Sequence, residues 1–540
     1  MKKFLAILLC CVMLFGIAAC NKDTGSSNSG DTIQNSSPPS DSSEQSDSSD
    51  QPDAAVSARD TLAIGITQDR GTLDPMYMIG YDSANAMRMI YEPLWDFDYD
   101  GNQIWVLATE LEMDNPEVWH IKLREGVTFS NGNPFNADDV VFSLYRANNR
   151  TGEPATLKHL NLEETKALDE YTVELVFNQY DLAYMYSILQ VVMFDVESFD
   201  EETVSTTPIG TGPYELTDYV INSHINLTLR DEYWGTMPSM KYMNFRVLAE
   251  DSQRVNALQT NTVDISVVPF QDIEYVQGLP GITVDLIPAA QAMSKALYMS
   301  PGPTSAFYDN ADARKAVALA IDRQAIVDIA YSGYAAVSRC PMSMNCIDIE
   351  DRYLDLGVYG IGYDPVKAKE LAESSGLAGK EILLINNGGS DSVVVAELIQ
   401  ADLKEIGVTV NVQSLDAGSW LSYAFDDTAY DMCVDFTGST SMKMAQNFSV
   451  WISAHIGGSY TRNPWPGSER YLEIISTIMT MSDAAALSDL YMELTEIHVE
   501  AVPWVSLVDM QRAYAHNSEL GGFQINLMGS YNLYNTFWTA

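Results

Sequence analysis

The sequence is short of positive charge, of cysteine and of long apolar runs. Its 540 residues contain 30 lysines and arginines against 74 aspartates and glutamates, which gives a formal net charge of −44 at pH 7. Because binding to nucleic-acid phosphates needs clustered lysine and arginine, this charge argues against a nucleic-acid partner. Six cysteines are too few for a disulfide-rich scaffold. Beyond the amino-terminal region, no stretch of 18 consecutive apolar residues predicts a transmembrane helix.

Motifs of catalysis and of metal binding are also lacking. The sequence contains no GxSxG nucleophile elbow, no HExxH, no Walker loop and no GxGxxG. Its six histidines are scattered, and no pair stands at metal-ligand spacing. Carboxylates are so numerous that many pairs could be taken for the two catalytic carboxylates of a glycosidase. Such a pair therefore does not indicate glycosidase activity. We therefore predict neither enzyme activity nor a cofactor nor a metal site, and a secreted hydrolase is kept as the rival from a different class.

The amino terminus has the pattern of an export signal. Met1–Lys3 is positively charged, and Phe4–Gly16 is uncharged and apolar but too short to span a bilayer. The following Ile17–Cys20 resembles a bacterial lipoprotein lipobox. The resemblance implies that residues 1–19 are a signal peptide and that Cys20 is lipidated. An ordinary signal peptide with an accidental cysteine is the alternative.

The segment that follows has the composition of a disordered tether. Asn21–Ala58 contains 12 serines and seven acidic residues among 38, with no aromatic residue. Such a segment cannot bury enough surface to offset its ordering entropy. We therefore predict that residues 20–58 anchor and tether an exported protein at the outer face of the bacterial cell membrane.

Three further cysteines lie in the folded part. Cys340 and Cys346 are separated by a short loop, which a disulfide could close in an oxidising compartment. Two thiols are the alternative. Without a nearby histidine, this spacing is a poor zinc signal.

The full sequence is 46% hydrophobic, and the chain after the tether interleaves helix and strand patterns, which indicates an α/β fold of two or three domains or lobes. Helices are predicted at Ala137–Asn148, with Asn136 as its cap, at Pro365–Ser375 and at Ser392–Ile406. Strands are predicted at Leu62–Ile66, Tyr171–Phe177, Ile225–Arg230 and Val408–Val412. Asn131-Gly132 is a hairpin turn signal.

Several motifs in the expected order resemble the family 5 extracellular solute-binding proteins of ABC transporters. They are Thr72–Pro75, Tyr91–Leu94, Trp119–Phe129 with Asn131-Gly132, Ala137–Ser143, Gly210–Tyr214, Arg314–Arg323 and Tyr363–Leu371. This resemblance covers nearly the whole folded part. Most of these motifs also read as turns and core positions, so they identify a scaffold rather than ligand contacts.

The resemblance implies a two-lobed clamp like that of the periplasmic binding proteins. Within that class it would be type II, in the large cluster, with an extra inserted domain. The expected segments are 60–96, 208–288 and 505–540 for lobe I, 97–207 for the inserted domain and 289–504 for lobe II. Ligand would lie between the lobes, with hinges near 289–300 and 503–509.

Peptide-binding members of the family resemble Tyr430–Phe436, with a cysteine two residues before an aspartate. By this resemblance, Asp435 would pair with the α-ammonium of a peptide, next to Cys433. A buried cation must be paired, so the physical chemistry agrees. A surface carboxylate at a strand end is the alternative.

Other candidate ligand contacts carry weaker signals. The loop Gly80, Tyr81 and Asp82 would offer main-chain groups to an extended peptide. Trp420 and Trp451 could pack on ligand side chains, or in the core. Arg339 could bind a peptide carboxylate.

The sequence therefore predicts a lipid-anchored, monomeric receptor that delivers di- or oligopeptides to the permease subunits of an ABC importer. An oligosaccharide or a metal chelate is the alternative ligand within the same fold.

Overall fold

The computed structural model describes the chain from residue 59 to residue 539, apart from several ranges. The ranges outside the described part are 1–58, 78–82, 98–101, 150–155, 182–183, 290–293, 300–301, 303, 345, 347, 358–361, 417–418, 421–422, 424–429, 438–442, 446–447, 449–464, 482, 526–529 and 540. Cys20 and the tether, the loop Gly80, Tyr81 and Asp82, and Trp451 therefore lie outside the described residues. Within the described ranges, every helix is too short or too polar to span a bilayer.

The strands, in chain order, are β1 (Thr61–Ile66), β2 (Trp95–Phe97), β3 (Gln103–Trp105), β4 (Ala108–Asn115), β5 (Val118–Leu123), β6 (Lys166–Asp169), β7 (Thr172–Val176), β8 (Tyr214–Val220), β9 (His224–Leu229), β10 (Tyr242–Val247), β11 (Ile265–Val268), β12 (Ile282–Ile287), β13 (Ser294–Met299), β14 (Ala335–Val337), β15 (Glu381–Asn386), β16 (Thr409–Ser414), β17 (Met432–Thr437), β18 (Trp504–Met510), β19 (Arg512–Asn517), β20 (Leu520–Gly521), β21 (Gln524–Ile525), β22 (Tyr531–Asn532) and β23 (Phe537–Trp538).

The α-helices are α1 (Ala84–Met87), α2 (Ala137–Asn148), α3 (Tyr184–Ser187), α4 (Asp251–Gln259), α5 (Ile273–Gln277), α6 (Ala311–Ala320), α7 (Arg323–Ala330), α8 (Pro365–Ser375), α9 (Ser390–Glu405), α10 (Glu469–Met479) and α11 (Ala484–Ala501). Short 3-10 helices lie at Pro75–Tyr77, Ile188–Gln190, Phe270–Asp272 and Asp351–Tyr353.

Local sequence signals account for several of the helix ends. The side chain of Asn136 accepts a hydrogen bond from the backbone of α2, and Asp139 accepts one from the Asn136 N–H at 2.8 Å, which makes a capping box. At α8 the side chain of Asp364 accepts a hydrogen bond from the backbone N–H of Lys367 at 3.0 Å, and Gly376 ends that helix with a φ of 75°. The predicted helices and strands are all present; α2 and α8 have the predicted ends, and the ends of the others differ by at most two residues.

Seven strands form the first sheet, in the order β12-β19-β11-β1-β10-β9-β8. β1 lies in its middle and pairs in parallel with both β10 and β11. The sheet is built from strands at the start of the chain, from β8 to β12, and from β19 near the end. Three separate parts of the chain therefore meet in one sheet, all within the segments that the sequence assigns to lobe I.

The segment predicted as an inserted domain carries a sheet of its own, in the order β4-β5-β7-β6. Its buried residues Trp119 and Val173 belong to the same apolar cluster as Leu62 and Phe245 of the first sheet. The segment therefore shares its core with lobe I instead of forming a separate one.

Six strands form the second sheet, in the order β14-β18-β13-β17-β15-β16. β13 and β18 are neighbours, and every residue of both strands is buried. β18 was expected to lie mostly in lobe I, whose return was predicted at residue 505. It belongs to lobe II because its apolar residues pair with β13, and the first sheet resumes only at β19.

The chain crosses between the two sheets at two places, between Ile287 and Ser294 and again at Gln511. Side-chain contacts also connect the two lobes. The ring of Phe270 packs against that of Tyr331 with centroids 4.8 Å apart. The hydroxyl of Ser390 lies 3.3 Å from a carboxylate oxygen of Asp251.

The segment Gly210-Thr211-Gly212 crosses directly over the backbone of Ile90. Its last amide donates to the Ile90 carbonyl oxygen at 2.8 Å. A Cβ at Gly210 would lie only 2.1 Å from that same oxygen. This close approach of two backbones explains why the position needs glycine.

We expect Gly210→Ala to lower the free energy of unfolding by at least about 3 kcal/mol, because neither backbone can move without disturbing the core. The control is Gly132→Ala, whose Cβ would meet no atom within 4 Å but whose φ is 90°. That change should cost about 1–2 kcal/mol. Urea denaturation measures both variants, and equal losses would contradict this account of Gly210.

Candidate functional site

The candidate site lies at the end of the second sheet that is next to the crossings. β13 begins there directly after the first crossing, and β18 ends there directly before the second. β17 runs antiparallel to β13, so its carboxyl end lies at the same place. Three neighbouring strands thus present their ends to the region between the lobes.

Asp435 lies near the carboxyl end of β17, opposite Ala296 of β13. Its side chain is 8% exposed. Side chains alternate along a strand, so Asp435 shares a face of the sheet with Cys433. Cys433 is completely buried in an apolar cluster with Ala296 and Tyr298, which places it in the core below Asp435 instead of at an open surface.

A second buried carboxylate, Asp509, lies near the carboxyl end of β18 and is 5% exposed. The hydroxyl groups of Ser294 and Ser338 donate to its Oδ1 at 2.5 Å and 2.9 Å. Ser294 is the first residue of β13, so Asp509 connects the two strands that cross between the lobes. Burial raises the pKa of Asp509 to about 6, and the two hydroxyl groups and Arg339 oppose that rise.

Arg339 lies in the loop after β14 and is more than half exposed. Its Nε lies 3.0 Å from both carboxylate oxygens of Asp355. This pairing raises the pKa of the Arg339 guanidinium. A peptide carboxylate at this position would therefore have to compete with a carboxylate of the protein.

Cys340 and Cys346, which both lie among the described residues, are buried thiols and do not form a disulfide with each other. Burial raises the pKa of the Cys340 thiol to about 12. Trp420 is partly buried and packs against the apolar cluster that contains both cysteines, which agrees with its alternative as a core residue.

The opposite face of the same strand ends carries a buried lysine that the sequence analysis did not single out. Lys295 is completely buried, and its ammonium lies 2.8 Å from Asp391 at the start of α9 and 3.9 Å from the ring centre of Phe436. Tyr331 donates a hydrogen bond to the same carboxylate at 2.9 Å. Burial raises the pKa of Asp391, but Lys295 and Tyr331 outweigh it and the pKa is lowered.

A charged residue within an otherwise apolar strand is the signal that could have revealed Lys295 and Asp509. Lys295 stands in Ser294–Met299 and Asp509 in Trp504–Met510, both of which are otherwise uncharged. Charges in such strands are rare and need partners. Among the described residues, no group of three or more histidine, cysteine or acidic side chains is arranged to hold a metal ion.

Comparison with known proteins identifies a family whose model matches most of the chain. The family model described as bacterial extracellular solute-binding proteins, family 5 Middle, matches residues 104–458. The glutathione-binding protein GsiB of Pectobacterium atrosepticum is 24% identical over 493 residues, which cover 87% of this chain and 92% of GsiB.

Two solved structures are similar in fold. DppA of Helicobacter pylori, an ABC transporter-associated periplasmic binding protein in complex with the peptide STSA, matches with a TM-score of 0.78 and 21% identity, over 89% of this chain and 98% of DppA. AgaA of Agrobacterium tumefaciens R10, in complex with agropinic acid, matches with a TM-score of 0.77 and 21% identity, over 89% of this chain and 99% of AgaA. These matches show a two-lobed periplasmic-binding-protein fold.

The raised pKa of Asp509 predicts how stability depends on pH. In the unfolded chain the pKa is about 3.9, so the folded state binds this proton more tightly. Its contribution to stability is therefore present below about pH 4 and is lost as the pH rises towards 6, by about 3 kcal/mol in total. Asp509→Asn should remove that loss, because the amide does not titrate.

Urea denaturation of the wild type and of Asp509→Asn between pH 4 and pH 7 tests this expectation. The difference between the two free energies of unfolding should change by about 2 kcal/mol across that range, because part of the total is already lost at pH 4. Subtracting one protein from the other cancels the titration of all shared groups. A difference that is constant with pH would show that the pKa of Asp509 is ordinary.

Proposed function

We propose that this chain, which belongs to the bacterial extracellular solute-binding proteins of family 5, binds di- or oligopeptides between its two lobes. Proteins of this family are substrate-binding receptors of ABC importers and not enzymes. The part of this proposal that goes beyond the family role is the ligand class, and a single observation supports it. A buried carboxylate, Asp435, lies at the strand end beside the crossings.

A peptide has one group that this position suits, its α-ammonium. A cation transferred from water into a closed cleft loses hydration, and a carboxylate held in place offsets that loss. The carboxylate of Asp435 is held by a strand in the middle of the second sheet, so little has to be ordered when ligand binds. GsiB is named as a glutathione-binding protein, and the structure of DppA contains a peptide. Both support a peptide as the ligand.

The two crossings supply the mechanism. Because they lie side by side, the lobes can close over a ligand by bending at both crossings together. The closed form is stabilised by contacts that ligand makes with both lobes, and the importer would recognise that form. In this proposal the loop Gly80, Tyr81 and Asp82 contributes main-chain groups from the first lobe.

A second candidate is a solute that is not a peptide. It is favoured by AgaA, whose structure contains agropinic acid in the same fold. An oligosaccharide or a metal chelate belongs to the same alternative. Such ligands would have no α-ammonium, so the role of Asp435 separates the two candidates.

The peptide proposal predicts the behaviour of Asp435→Asn. The change keeps the shape of the side chain but removes its charge, so a bound α-ammonium would be left without its partner. We expect affinity for a peptide to fall by about 2–5 kcal/mol. Acetylation of the peptide amino terminus should have a similar effect on the wild type.

Calorimetry with a peptide identified by mass spectrometry of the co-purified ligand measures these affinities. Asp312→Asn, an exposed position in the first turn of α6, is the control for net charge and should change affinity little. Equal affinities for the free and the acetylated peptide, in wild type and in Asp435→Asn alike, would remove Asp435 from the site and favour the second candidate.

We further propose that Cys20 is lipidated and holds the protein at the outer face of the membrane, as a monomer on a flexible tether. Cys20→Ala should then release the protein or leave the precursor unprocessed, because acylation supplies the membrane affinity. Fractionation of cells and an intact mass measure the outcome. A variant that stays in the membrane with a normally processed amino terminus would show that the anchor lies elsewhere.

A further inference from the structure

Asp509 and Asp435 lie on the same face of the second sheet. Thr437, Ser294 and Asp509 form one row across β17, β13 and β18, and Asp435, Ala296 and Ser506 form the next such row on that face. Two strand spacings and two residues separate the aspartates, which gives about 12 Å between their Cα atoms. Both carboxylates are therefore at the strand ends beside the crossings.

Asp509 is a buried carboxylate that forms no ion pair with a described cation. Both of its hydroxyl donors, Ser294 and Ser338, bind the same oxygen, Oδ1, and the described part of the chain offers no donor to Oδ2. The cation that acts on it, Arg339, forms its ion pair with Asp355 instead. Two neutral hydroxyl groups compensate a buried charge less well than a cation does.

The charge of the whole protein favours the same class of ligand. With a formal net charge of −44, the chain attracts cationic solutes and repels anionic ones. The net charge of the protein and the local charge of the Asp509 carboxylate are thus both negative, and both favour a cationic ligand.

We propose that Asp509 binds a second cation of the ligand and that the protein prefers peptides with a basic side chain near the amino terminus. The inference rests on the proposed function, since it needs the α-ammonium at Asp435 to fix the position of the peptide. A lysine at the first or second residue carries its ammonium on a flexible four-carbon stem. From an amino terminus at Asp435, that stem extends along the sheet face towards Oδ2 of Asp509.

A purely structural role of Asp509 makes a different prediction. Asp509 connects the two crossing strands through Ser294, so a role confined to the hinge would affect all ligands equally. A role in binding affects only ligands with the second cation. Comparing matched peptides within each variant therefore separates the two roles.

The experiment uses peptides of two to five residues with lysine, norleucine or glutamate at position one or two and alanine elsewhere. Norleucine matches the stem of lysine without its charge. Affinities are measured by calorimetry at pH 7 for the wild type, Asp509→Asn, Asp435→Asn and the control Asp312→Asn. For the wild type and the control, we expect a lysine peptide to bind at least tenfold more tightly than its norleucine analogue, and the glutamate peptide most weakly.

In Asp509→Asn the ratio of lysine to norleucine affinity should fall to about one, while the norleucine peptide keeps its affinity within about twofold. In Asp435→Asn both peptides should weaken together. A wild-type ratio of one, a ratio unchanged by Asp509→Asn, or an equal loss for both peptides in that variant would each overturn the inference. If neutral peptides bind in such a case, the proposed function survives, whereas binding of no peptide at all would overturn both proposals.

Discussion

The pairing of β13 with β18 is the interaction on which the rest of the structure depends. These two strands carry the chain into and out of the second lobe, and they lie side by side in the middle of its sheet with every residue buried. Because they are antiparallel, one begins where the other ends. Both connections to the first lobe therefore leave from the same end of the sheet. The two chain connections between the lobes are thus adjacent, and the strand ends between them form the floor of the candidate site.

The buried charges on the two faces at this end of the sheet have different partners. On one face, Lys295 pairs with Asp391 and is covered by Phe436, and Lys295 lowers the pKa of Asp391 despite the burial of that carboxylate. On the other face, the described residues give Asp509 only hydroxyl donors, and burial raises its pKa. The first arrangement is complete within the protein and suits a structural role beside the crossings. The second includes no ion pair among the described residues, and this difference is the reason for proposing Asp509 as a binding residue.

The sequence predicted much of the scaffold and less of the site. Helix ends such as Asn136 and Gly376 were predictable because capping depends on a few neighbouring residues. The family resemblance was confirmed by the family model and by the similar folds. Cys433 illustrates where the prediction was weaker: its neighbour Asp435 lies at the strand end, but Cys433 itself packs in the core. Arg339 was a reasonable partner for a peptide carboxylate, yet Asp355, 16 residues away in sequence, already pairs with it.

The sequence by itself determined the class of fold and the order of its elements, and it predicts an export signal, because these depend on composition, periodicity and short motifs. Only the tertiary structure decided that β18 belongs to the second sheet, that the inserted segment shares the core of lobe I, and that Asp509 stands on the same face as Asp435. Each of these results depends on pairing between residues far apart in the chain: Ser294 and Asp509 are 215 positions apart. Local propensity carries no information about which distant strands pair, since many apolar strands are equally able to do so. Burial of the complete set of strands in one core selects among them.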